Sequence, residues 1–249
     1  MSRTRRYLDQ LSILCLVQLR NWRWTWKPML VMGIATPALI MFALAALSGD
    51  RGGDDAVHIA GGAITLTLMF QNTNRVAQNF AYMKAMGTLD LFRTMPVSLN
   101  ALTYATVTSF FFLSLPGVVA TLLVARLFLD VDVRPGLVAV PVLLLAAWAL
   151  AGLGAAIGAL CRSPETSSSV SLATSMALLF LGPVYIPADR LPDWLTALSH
   201  ASPSTYASSA VRAAFFGQPT DGLWLDLVVL LVFGIAFSAL SRRVLASAR

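Results

Sequence analysis

Six stretches of the chain stay apolar for about 20 residues at a time, the length a helix needs to cross the hydrocarbon core of a bilayer. They fall at 28–47, 57–75, 102–129, 137–160, 170–186 and 223–240. The balance of residues agrees: 57% are hydrophobic and 12% charged, where soluble domains carry roughly 25% charged. The expected fold is therefore all-α and polytopic, one transmembrane domain over 1–249 with six spans and both termini on the same side. The third run contains Pro116. Proline withholds a backbone donor, so tilt or a kink is expected there.

Charge then orients the spans. Thirteen of the 18 basic residues fall in the N-terminal segment, the 75–100 connection, the loop at Arg162 and the C-terminal segment. The opposite side carries nine of the 12 acidic residues. By the positive-inside rule the termini are cytoplasmic. Cys15 and Cys161 then both face the cytoplasm as reduced thiols. The basic, then apolar N-terminus is interrupted by Asp9, Gln18 and Arg20, with no small-x-small site after it, and LSILC lacks the small residue a lipoprotein signal needs before cysteine. It reads as retained. Leu8, Leu11, Leu14, Cys15 and Leu19 recur at helical spacing, and NWRWTWK interleaves tryptophan with Arg23 and Lys27. Residues 1–27 are thus expected to lie along the inner leaflet as an interfacial amphipathic helix. Base stacking on nucleic acid is a poor rival, because the segment abuts a span.

Two connections carry more pattern than a link requires. Between the second and third spans, 87–96 spells a very short amphipathic helix with Leu89, Phe92 and Met95 three apart and a stop at Pro96. After the fifth span, Pro183, Pro187, Pro192 and Pro203 forbid a continuous helix. Two short amphipathic pieces remain within 187–216, expected to dip into the outer leaflet and return; irregular backbone at that depth has to be buried in protein or face a wet cavity. In QNTNRVAQN, Gln71, Asn74, Arg75, Gln78 and Asn79 form one polar helix face. It either faces protein or a wet pathway, or marks a helix that emerges early into the cytoplasm.

Several chemistries are excluded or weakened. A phosphate-binding loop needs Gly-Lys before Ser or Thr, but the lysines are Lys27 before Pro28 and Lys84 before Ala85. Gly152, Gly154 and Gly158 have the wrong spacing for a dinucleotide fingerprint and suit close helix packing instead. His58 and His200 are far apart in sequence, HExxH and CxxC do not occur, and no metal or catalytic residues are assigned. Arg75, Arg126 and Asp226 stand near span ends, where snorkelling suffices, so a proton relay is not evident.

GTLDLFRTMPVS resembles the cytoplasmic signature of ABC-2 type permeases, the membrane subunits of type V ATP-binding cassette exporters. Gly87, Thr88, Leu89 and Asp90 match it, as do Pro96, Val97 and Ser98; Met95 replaces the usual threonine before proline, with Thr94 displaced by one. The later stretch is similar to the family's second pattern through Pro187, Leu191, Pro192, Trp194, Pro203, Tyr206 and Arg212, with Ser202 where asparagine is common. The resemblance covers nearly the whole chain.

It implies that 87–96 is a coupling helix resting in a groove of a separate ATP-binding subunit. Leu89, Phe92 and Met95 would supply apolar contact, and Asp90 and Arg93 would fix orientation by charge. Relatives often carry acidic residues just before the glycine; Met83, Ala85 and Met86 here would make the contact more apolar or more selective. The rival is a solvated turn. The resemblance further implies a bacterial plasma (inner) membrane location and a second permease subunit, identical or paralogous. This chain would bind no cofactor, ATP and Mg being used by the partner. An amphipathic or lipid-like cargo, such as a drug or antibiotic, would leave the cytoplasm or inner leaflet. Candidate pathway residues are Phe42, Phe70, Gln71, Asn74, Thr174 and Tyr185, which packing alone would also explain. Export of a lipid-linked glycan or cell-surface polymer, an intramembrane enzyme, and a passive channel are the alternatives.

Overall fold

The computed structural model describes residues 13–16, 35–36, 38–43, 46, 53–94, 99–185, 192–218 and 222–247. Every regular element among them is helical. We number them α1 (Asp54–Leu68), a π-helical turn (Met69–Asn74), α2 (Arg75–Ala85), α3 (Thr88–Thr94), α4 (Leu99–Leu129), α5 (Ala139–Leu160), α6 (Pro164–Leu181), α7 (Asp193–Ser199), α8 (Pro203–Phe216) and α9 (Leu223–Ser247). Of the expected interfacial segment 1–27, only 13–16 are described, as one helical turn with Leu14 buried between the exposed Ile13 and Leu16. Most of 28–47 lies outside the described residues.

Among the described residues, three helices are long and apolar enough to cross a membrane: Ala101–Leu129, Ala139–Leu160 and Leu223–Leu245. α4 runs unbroken through Pro116. The second expected span, 57–75, is part of a longer helical run from Asp54 to Ala85, with the π turn in its middle. Arg75 opens α2 within that run, so the helix continues past the expected end of the span. The fifth expected span, 170–186, is displaced toward the N-terminus. Ser163 caps α6 by accepting from Thr166 N at 3.2 Å, Pro164 supplies the first turn, and the helix ends before Gly182.

α5 is the central stave, packed against α9, α2, the π turn, α8 and α4. Its glycines explain how neighbours come so close. A methyl group at Gly154 would collide with Thr73 O, and one at Gly158 with Ala77 O while standing 2.9 Å from Phe80 Cβ. Backbone-to-backbone approach of this kind is how small residues drive helix association where lipid supplies no hydrophobic force. One apolar cluster of the core includes Leu68, Met69, Val142, Leu150, Val211 and Leu230, and polar side chains are buried beside it.

Candidate functional site

The connection from α2 to α3 is a tight reversal. Gly87 N donates to Lys84 O at 3.2 Å, and Gly87 has φ +69°, a conformation that other residues adopt only with strain. α3 then starts at Thr88, with Leu91 N bonded back to Gly87 O at 3.2 Å. Within the expected face, Leu89 is only 5% exposed. It packs in this chain's own cluster with Phe80, Met83, Ala101 and Leu102. Among the described side chains of the connection, Tyr82, Met86 and Leu91 are the exposed large apolar ones, the last 54% exposed. Met95 and Pro96 lie outside the described residues, as do the side chains of Asp90, Phe92 and Arg93. Sequence reasoning missed Lys84, whose ammonium donates to Ala159 O at 3.0 Å and Cys161 O at 3.2 Å, the carboxyl end of α5. Cys161 is a buried free thiol, and Cys15, also free, donates to Ala105 O at 3.5 Å.

The polar face of the second run meets protein. Asn74 Oδ1 accepts from Ser175 Oγ at 3.0 Å, and Gln78 Nε2 donates to Ser168 Oγ at 3.2 Å, both on α6. Ser167, Ser171 and Ser175 are buried at intervals of four, a stripe readable in PETSSSVSLATS that an apolar-span reading passes over. Gln71 is buried, and Thr73 Oγ1 bonds Leu150 O at 3.1 Å. Asn72 Nδ2 bonds Leu68 O at 3.0 Å while its Oδ1 has no partner. π turns often accompany function. This one turns Gln71 to Asn74 inward together.

Of the other pathway candidates, Thr174 is next to Ser175 on α6, its hydroxyl bonded to Val170 O at 2.8 Å. Phe70 is half-buried in the π turn. Phe42 instead lines an apolar cavity of about 360 Å³ with Ala38, Leu39, Val124, Phe128 and Leu129, its ring edge-on to Phe128 at 6.3 Å. Tyr185 does not line that cavity; it packs beside Gly62 against the neighbouring cluster that includes Met41, Ile59, Ala60 and Leu129. The six candidates are thus not brought together: Gln71 and Asn74 share the buried polar turn, and Phe42 lines the separate apolar cavity.

The broken segment is two helices, α7 and α8. Pro187 and Leu191 lie outside the described residues; Pro192 caps α7, and Trp194 is exposed. Pro203 opens α8. Side chains close the turn between them: Thr205 Oγ1 bonds Ser199 O at 2.8 Å, Tyr206 OH bonds His200 O at 2.9 Å, and Ser204 Oγ reaches Leu178 O at 2.8 Å. The far end of α8 is closed by loop amides, Arg134 N to Phe215 O at 2.8 Å and Gly136 N to Ala214 O at 3.0 Å. Arg212 is 7% exposed, crosses Gly61 of α1 and donates to Pro183 O at 3.5 Å. Asp226, 6% exposed in the first turn of α9, lies within electrostatic reach of it. The snorkelling expectation for Asp226 is corrected by this burial. His58 rests on its own helix, Nδ1 3.1 Å from Asp54 O.

A helical bundle with several membrane-length helices, small-residue contacts and a short lever between two of its helices defines a multi-pass membrane protein. The chain belongs to the ABC-2 type transporter family, whose model matches residues 9–216. It is also similar to the daunorubicin resistance ABC transporter permease protein DrrB1 of Streptomyces coeruleorubidus. The two are 29% identical over 105 residues, 41% of this chain and 36% of that protein. The match thus spans little more than a third of that relative's length.

Proposed function

We propose that this chain is the membrane-spanning permease subunit of an ATP-driven exporter, carrying an amphipathic or lipid-like compound out of the cytoplasm or inner leaflet. The family match over 9–216 is the observation that carries the reading, and the relative named for daunorubicin resistance favours a drug-like cargo. ATP and Mg belong to a separate ATP-binding subunit, and the chain itself is non-catalytic. The working unit pairs two permease chains with two such subunits in the bacterial plasma membrane, with six spans and cytoplasmic termini.

The segment 87–96 docks on the ATP-binding subunit. Leu91, Tyr82 and Met86 join the expected Phe92 and Met95 as apolar contacts, Asp90 and Arg93 set orientation, and buried Leu89 holds the lever to its own chain. Closure of the two ATP-binding subunits moves this lever, and the attached helices follow as rigid bodies. The polar seam of Gln71, Asn74 and Thr174 takes the polar part of the cargo, while Phe42, Phe70 and Tyr185 take its apolar part.

Co-expression tests the reading. A stable, ATP-hydrolysing complex is expected, and Asp90→Ala or Phe92→Ala should uncouple transport without loss of membrane insertion. Wild-type behaviour of both variants in assembly and flux would refute the docking assignment. Comparing flux of an amphiphilic dye with that of a lipid-linked glycan precursor decides the cargo class.

A further inference from the structure

A lever transmits force only if its base is fixed to what it moves, and α3 is joined to α2 through Gly87, which carries no side chain to stiffen the reversal. α2 packs along α5, and two of its contacts tie the base of the lever closely. One is the close packing of Gly158 against Ala77 and Phe80. The other is Lys84, in the last turn of α2, whose ammonium donates to the carbonyls of Ala159 and Cys161. Those carbonyls belong to the end of α5, where the helix leaves acceptors without internal partners and where its dipole favours a cation. Holding a four-carbon side chain in one arrangement costs rotamer entropy. An ammonium shared between two carbonyls at a helix end offsets it. Lys84 is one of only two lysines among 18 basic residues. Its flexible stem and compact charge suit a point contact between two backbones better than the planar fork of arginine.

We propose that Lys84 is a positioning residue that clamps the base of the lever to the carboxyl end of α5, so that motion of α3 is delivered to α5 and, through their extensive packing, to α9. The inference rests on the coupling role proposed above and names the residue through which that role acts.

The test places spin labels at Thr94→Cys on α3 and Leu160→Cys on α5, both exposed positions, in a background with Cys15 and Cys161 replaced by alanine. In the isolated chain the wild-type distance should be single and narrow. Lys84→Met and Lys84→Gln, either of which suffices if the other fails to fold, should broaden it, and Lys84→Arg, which keeps the charge but not the compact head, should restore it only in part. In complex with the ATP-binding subunit, the wild-type distance should stay unchanged between the nucleotide-free and ATP-vanadate-trapped states, while the Met or Gln variant shifts with nucleotide at unaltered co-purification yield. A wild-type-like distribution in both neutral variants overturns the clamp. So does a wild-type distance that shifts with nucleotide. Failure of the wild-type chain to assemble with an ATP-binding subunit would instead overturn the coupling role, and the isolated-chain measurement still decides whether Lys84 holds the two helices together.

Discussion

Arg212 and Asp226 are buried ions of opposite charge near the broken helix pair; the Asp226 carboxylate is held by the Ser209 hydroxyl and, to a lesser degree, by the charge of Arg212. Arg212→Met alone should leave the carboxylate with Ser209 as its partner and destabilise the protein by about 1 to 3 kcal/mol. The double replacement Arg212→Met with Asp226→Leu should recover much of that loss, as read from thermal unfolding in detergent. Non-recovery would show that Arg212 acts through Pro183 and Gly61 rather than through charge. The buried and exposed leucines of α3 make a second contrast. Leu89→Ala should cost about 2 to 5 kcal/mol of stability by opening a cavity beside Phe80 and Met83. Leu91→Ala should leave stability unchanged and weaken binding of the ATP-binding subunit, measured by titrating that subunit onto the purified chain. Equal effects on stability from both substitutions would contradict the assigned faces.

At the scale of elements, the contact of α5 with the π turn and α2 depends on two glycines. Gly158→Leu should overpack the interface and cost about 1 to 3 kcal/mol, measured by denaturant unfolding in mixed micelles; an unchanged midpoint would mean the helices are free to separate. The close-packing role was legible in AGLGAAIGAL, because only small residues let two backbones touch. Pro203 was legible as a break, since proline acts locally, whereas the start at Pro164 was missed because the fifth span was placed at 170–186 by its apolar run. The burial of Leu89 against its own chain was not legible, because three-residue spacing shows that side chains share a face and not which way that face turns. The serine stripe of α6 was hidden within a run taken for apolar. Lys84 was read only as a loop charge, since its partners are backbone carbonyls 75 and 77 residues away that leave no mark in composition. The π turn was likewise invisible, because one residue of extra winding does not alter the pattern of residue types.

For the molecule as a whole, the described helices pack around α5, which meets the π turn, α2, α4, α8 and α9 directly, while the short helix α3 packs on α2 and the apolar cavity lies along α4. The molecule's apolar surfaces, including most of the outward face of α9, suit contact with lipid or a second permease chain. The central claim is that the energy for transport comes from outside this polypeptide. Sealed vesicles containing the chain with its ATP-binding subunit, and matched vesicles with the chain alone, should be loaded with Mg-ATP on the side of the ATP-binding subunit and supplied with a fluorescent amphiphile. Uphill movement is expected only where both subunits and nucleotide are present, and it should stop with vanadate. Concentration of solute by the chain alone, without nucleotide, would contradict the account.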